Sequence, residues 1–92
     1  MTRVVDNPAA NRFEVYTDED ALAGFAEYQR HNGKIVFIHT EVDPAFEGEG
    51  LGSRLASGAL DAARAEGLKV VARCPFIARY LSRHPEYADL RA

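Results

Sequence analysis

Tryptophan is absent from this sequence, and cysteine and methionine occur once each in 92 residues. A lone Cys74 can close no internal disulfide and supports no zinc cluster, so a reducing, cytoplasmic setting without a bound metal is expected. No run approaches the roughly 18 apolar residues of a membrane helix. The opening Met-Thr-Arg-Val-Val-Asp lacks the apolar stretch of a signal peptide. Internal repeats, low-complexity tracts and linkers are missing as well. Residues 1–92 are therefore expected to form a single domain with one small core.

Excess positive charge is also lacking. The net charge of −3 argues against nucleic acid as the main partner. Its distribution is uneven. Residues 1–49 hold ten of the 14 acidic residues against Arg3, Arg12, Arg30 and Lys34. Residues 50–92 hold Arg54, Arg64, Lys69, Arg73, Arg79, Arg83 and Arg91 against Asp61, Glu66, Glu86 and Asp89. Such a split suits a protein meeting a cation with its first half and an anion with its second, and it equally suits two differently solvated faces.

What is present follows an α+β pattern. Residues 1–11, polar and marked by Asn7-Pro8, are expected to be loose. Phe13 and Val15 alternate in a short strand over 12–17. Leu22, Phe25, Ala26 and Gln29 would also fit a helical face. Asn32-Gly33, however, is a strong hairpin signal and demands a strand on each side, over 22–30 and 34–42. A glycine-rich loop, 43–50, precedes a helix with Leu51, Leu55, Ala59 and Ala62 in one stripe and Gly67 at its end. A strand to Cys74 follows, then a helix opened by Pro75 and stopped near His84 by Pro85. The expected order is β-β-β-α-β-α, a mostly antiparallel sheet with two helices.

Glycines before a helix leave backbone N–H groups bare, and the helix dipole adds partial positive charge there, which suits a pyrophosphate. Gly48, Gly50 and Gly52 would let the chain approach such an anion closely. The ending Gly-Lys-Ser/Thr of a Walker loop is absent, and so is the strand–loop–helix start of a dinucleotide fold. The run from Ile38 to Leu55, with Val42-Asp43-Pro44 and then Gly48-Glu49-Gly50-Leu51-Gly52-Ser53-Arg54, resembles the coenzyme-A motif of GNAT N-acetyltransferases. His39-Thr40-Glu41-Val42, the glycine loop, Cys74-Pro75-Phe76 and His84-Pro85-Glu86-Tyr87 together look like a group of very short GNAT-like proteins, and the likeness runs from about Phe13 to Leu90.

The resemblance implies a minimal GNAT-like fold that takes acetyl-coenzyme A as co-substrate. The pantetheine arm would pair with the strand near Thr40 and Val42, and the pyrophosphate would sit on the Gly48–Ser53 amides. Glu47 stands where the family carries Arg or Gln, so the phosphate charge would have to be met by Arg54, Arg79 and Arg83. The acceptor would be an amine on a protein or a small molecule. By the same resemblance, the family's N-terminal helices, which recognise substrate, are expected to be missing here.

Three residues are candidates for the chemistry. Cys74 precedes a helix, where the dipole favours thiolate, and the resemblance places it in the acetyl-binding cleft. It could accept the acetyl group covalently or be a buried structural thiol. Glu41 lies where many GNAT enzymes hold a carboxylate base, though it could equally be an exposed strand acid. His39 shares its face by the period of two. Tyr80 reads as a core aromatic rather than an acid. Two functions remain open: an acetyltransferase acting on an amine, or a coenzyme-A-binding module that works through protein contacts without catalysis.

Overall fold

A computed structural model describes residues 2–46 and 48–92. The elements are β1 (Arg3–Asn7), β2 (Arg12–Tyr16), β3 (Leu22–His31), β4 (Lys34–Val42), α1 (Leu51–Ala65), β5 (Lys69–Ala72) and α2 (Pro75–Arg83), with short 3-10 turns at Pro8–Ala10, Pro44–Phe46 and Pro85–Leu90. The five strands form one sheet in the order β1-β2-β3-β4-β5, antiparallel except where β5 runs parallel to β4. This is the small α+β, GNAT-like architecture expected, with one strand more.

That strand corrects the expectation of a loose N-terminus. Arg3 to Asn7 pair with Tyr16 to Arg12 in full register. Composition misled because β1 is an edge strand whose anchors are distant in sequence. The Tyr28 hydroxyl donates to Asp6, and Arg30 reaches Asp6 and Glu66 at 3.0 and 2.9 Å. Val4 packs on α1 so closely that a Cβ at Gly58 would lie 2.8 Å from the Val4 Cβ. Gly58→Ala should therefore cost about 1–3 kcal/mol of stability, since a β-branched side chain cannot turn aside. A urea titration checks it, and an unchanged midpoint would refute the contact.

The other elements follow their local signals. Asn32 (φ 48°) and Gly33 (φ 75°) take the two left-handed positions of a tight hairpin turn. Helix α1 ends with Gly67 N–H donating to the Arg64 carbonyl and Leu68 N–H to the Ala63 carbonyl, the paired bonds of a glycine-terminated helix. Phe13, Val15, Ala26, Tyr28, Ile35, Phe37 and Val70 alternate along the strands onto one face. There they meet Leu51, Leu55, Ala59 and Leu60 of α1, and Ile77 and Leu81 of α2, in one core. Each large buried side chain contributes about 1.5–3 kcal/mol. Helix α2 rests beside α1, and Tyr87, just beyond α2, donates to Asp61 of α1 at 2.8 Å. Both helices cover the same face of the sheet. The opposite face carries Arg12, Glu14, Tyr16, Phe25, Glu27, His39 and Glu41, with no helix over it among the described residues.

Candidate functional site

The sheet is split at one place. Strand β4 pairs with β5 only from Lys34↔Lys69 to Phe37↔Ala72. There the Phe37 carbonyl accepts from both Arg73 and Cys74 N–H, at 2.9 and 3.1 Å, and β5 turns away. Beyond it, β4 runs on beside β3 from Ile38 to Val42, leaving about 16 Å of strand edge unpaired among the described residues. A bulge lies at the split: Glu27 pairs with His39 and Tyr28 with Phe37, so Ile38 is the extra residue. The bulge resets the alternation. Thr40 then faces the helices, while His39 and Glu41 face the open side.

The glycine loop lies at the end of this free edge. Gly50, with φ 74°, occupies the position before α1 and offers no side-chain cap. The first helical bond is donated by Arg54 to the Gly50 carbonyl at 3.1 Å, so the amides of Leu51, Gly52 and Ser53 precede the helical ladder. They line a cavity of about 330 Å³ together with Val42, Phe46, Gly48, Gly50 and Phe76. A second cavity, of about 190 Å³, adjoins it and shares Ser53 and Phe76; its other walls are Arg79, Tyr80, Arg83 and His84. Burial pushes the Tyr80 phenol above its ordinary value, with the Ser57 hydrogen bond opposing, and its ring stacks on His84 at 3.8 Å. Two arginines thus stand one helical turn apart beside the bare N–H groups at the start of α1. Arg54 is exposed on α1 and lines neither cavity, and Glu49 is exposed on the loop. Glu47 lies outside the described residues.

Cys74 is 3% exposed at the position before α2, in the wall of the split, and its Sγ lies 3.3 Å from Thr40 Oγ1. On the opposite side of β4, His39 Nε2 is 3.0 Å from Glu41 Oε2, both side chains being more than half exposed. The structure therefore brings His39 and Glu41 together and Thr40 and Cys74 together, with the strand between the two pairs. Behind His39 runs a set of contacts that the sequence does not announce. Phe25 stands 6.3 Å from the His39 ring, and the Arg12 guanidinium lies 4.5 Å over Phe25. Arg12 is held in turn by Glu14 at 2.7 Å. Burial raises the Glu14 pKa, but hydrogen bonds from Tyr16, Arg12 and Asn7 outweigh it and leave the carboxyl below its usual value. Among the described residues no group of three or more His, Cys, Asp or Glu could hold a metal ion. None of the helices is long and apolar enough to cross a membrane.

A mixed sheet opened along one parallel strand pair, with a glycine-rich helix start at the mouth of the opening, defines a GNAT-like acyl-transfer fold. A family model described as GCN5-related N-acetyl-transferase matches residues 12–90, and the chain belongs to that family. Its fold is similar to the solution structure of a GCN5-like candidate N-acetyltransferase from Staphylococcus aureus, with a TM-score of 0.74 and 26% sequence identity. The match covers 98% of this chain and 87% of the other. No curated protein matches the chain. Members of the family take acetyl-coenzyme A as co-substrate and pass its acetyl group to an acceptor.

Proposed function

We propose that residues 1–92 act as one minimal N-acetyltransferase that binds acetyl-coenzyme A along the split and transfers its acetyl group to an amine. The observation that carries this reading is the continuity of three features. The free edge of β4 from Ile38 to Val42 leads to the Leu51, Gly52 and Ser53 amides, and these lead to the Arg79 and Arg83 cavity. In that arrangement Thr40 and Val42 flank the pantetheine arm, the Gly48–Ser53 backbone takes the pyrophosphate, and Arg79 and Arg83 take the remaining phosphate.

Acetyl-coenzyme A supplies a thioester carbonyl. The acceptor ammonium loses one proton to the Glu41 carboxylate, which His39 steadies, and the free amine attacks the carbonyl. A C–N bond forms, the C–S bond breaks, and the amine's second proton leaves with the coenzyme thiol. Glu41 and His39 suit this role because they face the side that no helix covers. A covalent route, with the acetyl group resting on Cys74, is favoured by one observation, the Sγ to Thr40 contact inside the split. Against it, a threonine hydroxyl is a poor acceptor for the thiol proton.

The test is calorimetric titration with coenzyme A, followed by an assay of thiol release with an amine panel. No binding at millimolar coenzyme A would end the reading. Binding without transfer to any amine would leave a coenzyme-A-binding module. Arg79→Ala with Arg83→Ala should weaken coenzyme A by at least about tenfold and dephospho-coenzyme A much less, because charge-assisted bonds to the extra phosphate are lost. Equal losses for both ligands would move these arginines to the shared pyrophosphate, and no loss for either would make them solvated surface.

A further inference from the structure

The chain has a third cavity, of about 410 Å³, that the coenzyme does not account for. It lies at the end of the β3–β4 pair, where Leu22 and Phe25 of β3 face Glu41, Val42, Asp43 and Pro44. Of these only Val42 also lines the loop cavity. The walls are apolar apart from the carboxylates of Glu41 and Asp43, with no cationic side chain in the lining among the described residues. Leu22 is 40% exposed at the mouth of the hollow. The cavity continues onto the helix-free face through Phe25 and Glu41, whose carboxylate meets His39. The same end of the sheet carries the turn between β2 and β3 with Asp18, Glu19 and Asp20, the last of these paired to Arg3 at 2.9 Å.

We propose that this cavity binds the acceptor, and that the acceptor is a primary ammonium on an alkyl chain with no anionic group near it. The proposal rests on the acetyltransferase reading, because it makes Glu41 the shared point of the two sites. The alkyl chain lies against Leu22, Phe25, Val42 and Pro44, the reacting nitrogen lies at Glu41, and Asp43 faces the far end. One oxygen of Asp43 accepts from Ala45 N–H at 2.9 Å, which fixes the side chain. An acceptor bearing a carboxylate at its far end would meet Asp43 and the acidic turn and be repelled. A free diamine and a lysine side chain share the required chemistry.

Cadaverine and δ-aminovalerate separate the cases, being alike in length and opposite in charge at the far end. Transfer to cadaverine should exceed transfer to δ-aminovalerate by at least about tenfold in kcat/KM. Asp43→Asn, which can keep the Ala45 hydrogen bond, should bring the ratio close to one without weakening acetyl-coenzyme A. Leu22→Arg, at an exposed position, should do the same by placing a cation at the mouth. A lysine peptide with neutral flanks is the second arm, and the better substrate identifies the source. Amide shifts on adding cadaverine without coenzyme should fall at Leu22–Phe25 and Glu41–Asp43, whereas coenzyme A alone should move Gly48–Ser53. The shift map therefore decides this proposal even if the coenzyme does not bind. Equal use of δ-aminovalerate, a preference that survives both variants, or no shift at the cavity would each overturn it.

Discussion

Replacing Gly50 with aspartate is expected to abolish coenzyme-A binding while leaving the chain folded. Gly50 takes φ 74°, and a Cβ built there meets nothing within 4 Å, so the new side chain enters open space. The left-handed backbone costs a non-glycine residue about 1–2 kcal/mol, less for aspartate than for most. The carboxylate would stand where the Leu51, Gly52 and Ser53 amides point and would repel the anion placed there. Repulsion of several kcal/mol corresponds to at least about a hundredfold loss of affinity. The native protein should melt higher with acetyl-coenzyme A through binding linkage, and the variant should not. Gly67→Asp serves as the control. Gly67 has φ 72° and an equally open Cβ position, but it closes α1 at the far end. It should lose stability and keep the ligand. Undiminished binding by Gly50→Asp would remove the loop from the site.

The second large effect is expected at Glu41. Glu41→Gln keeps the shape and removes the proton acceptor, and general-base catalysis by one group contributes roughly 10²–10⁴-fold. We expect kcat/KM to fall within that range, with the coenzyme-A dissociation constant unchanged because Glu41 faces away from the loop. Cys74→Ala should keep transfer within about tenfold, the loss coming from a small void in the wall of the split. Intact-protein mass after incubation with acetyl-coenzyme A provides the independent reading. One added acetyl group on Cys74, together with an inactive Cys74→Ala, would establish the covalent route and reduce Glu41 to a helper of the second step. Near-native rates for Glu41→Gln would sink the base assignment.

Much of the fold could be read along the chain because its signals are local. Asn32-Gly33 specifies a hairpin by its left-handed pair, and Gly67 and Pro85 stop their helices through backbone geometry alone. The alternation of Phe13 and Val15, and the stripe of Leu51, Leu55 and Ala59, assign inward faces before any contact is known. The glycine loop announced its place before a helix for the same reason. Strand β1 was illegible. Its stability comes from Asp6 meeting Tyr28 and Arg30, and from Val4 meeting Gly58, residues far away in the sequence.

The candidate site divides in the same way. Residue type and the period of two placed His39 and Glu41 on one face. The sequence by itself determined the elements other than β1, the helix start and the charge split, since each depends on neighbours within a few positions. Only the tertiary structure decided which side of β4 each side chain serves. One bulged residue, Ile38, turns Thr40 toward Cys74 and leaves His39 and Glu41 on the face that no helix covers, and a bulge is set by cross-strand register rather than by residue type. The cavity between Leu22 and Asp43, the pairing of Phe76 with the loop, and the tilted contact of Phe25 with His39 depend likewise on how far β4 runs past β5. That overrun reflects the balance of ladder bonds against packing across the whole sheet, which no stretch of the chain carries alone.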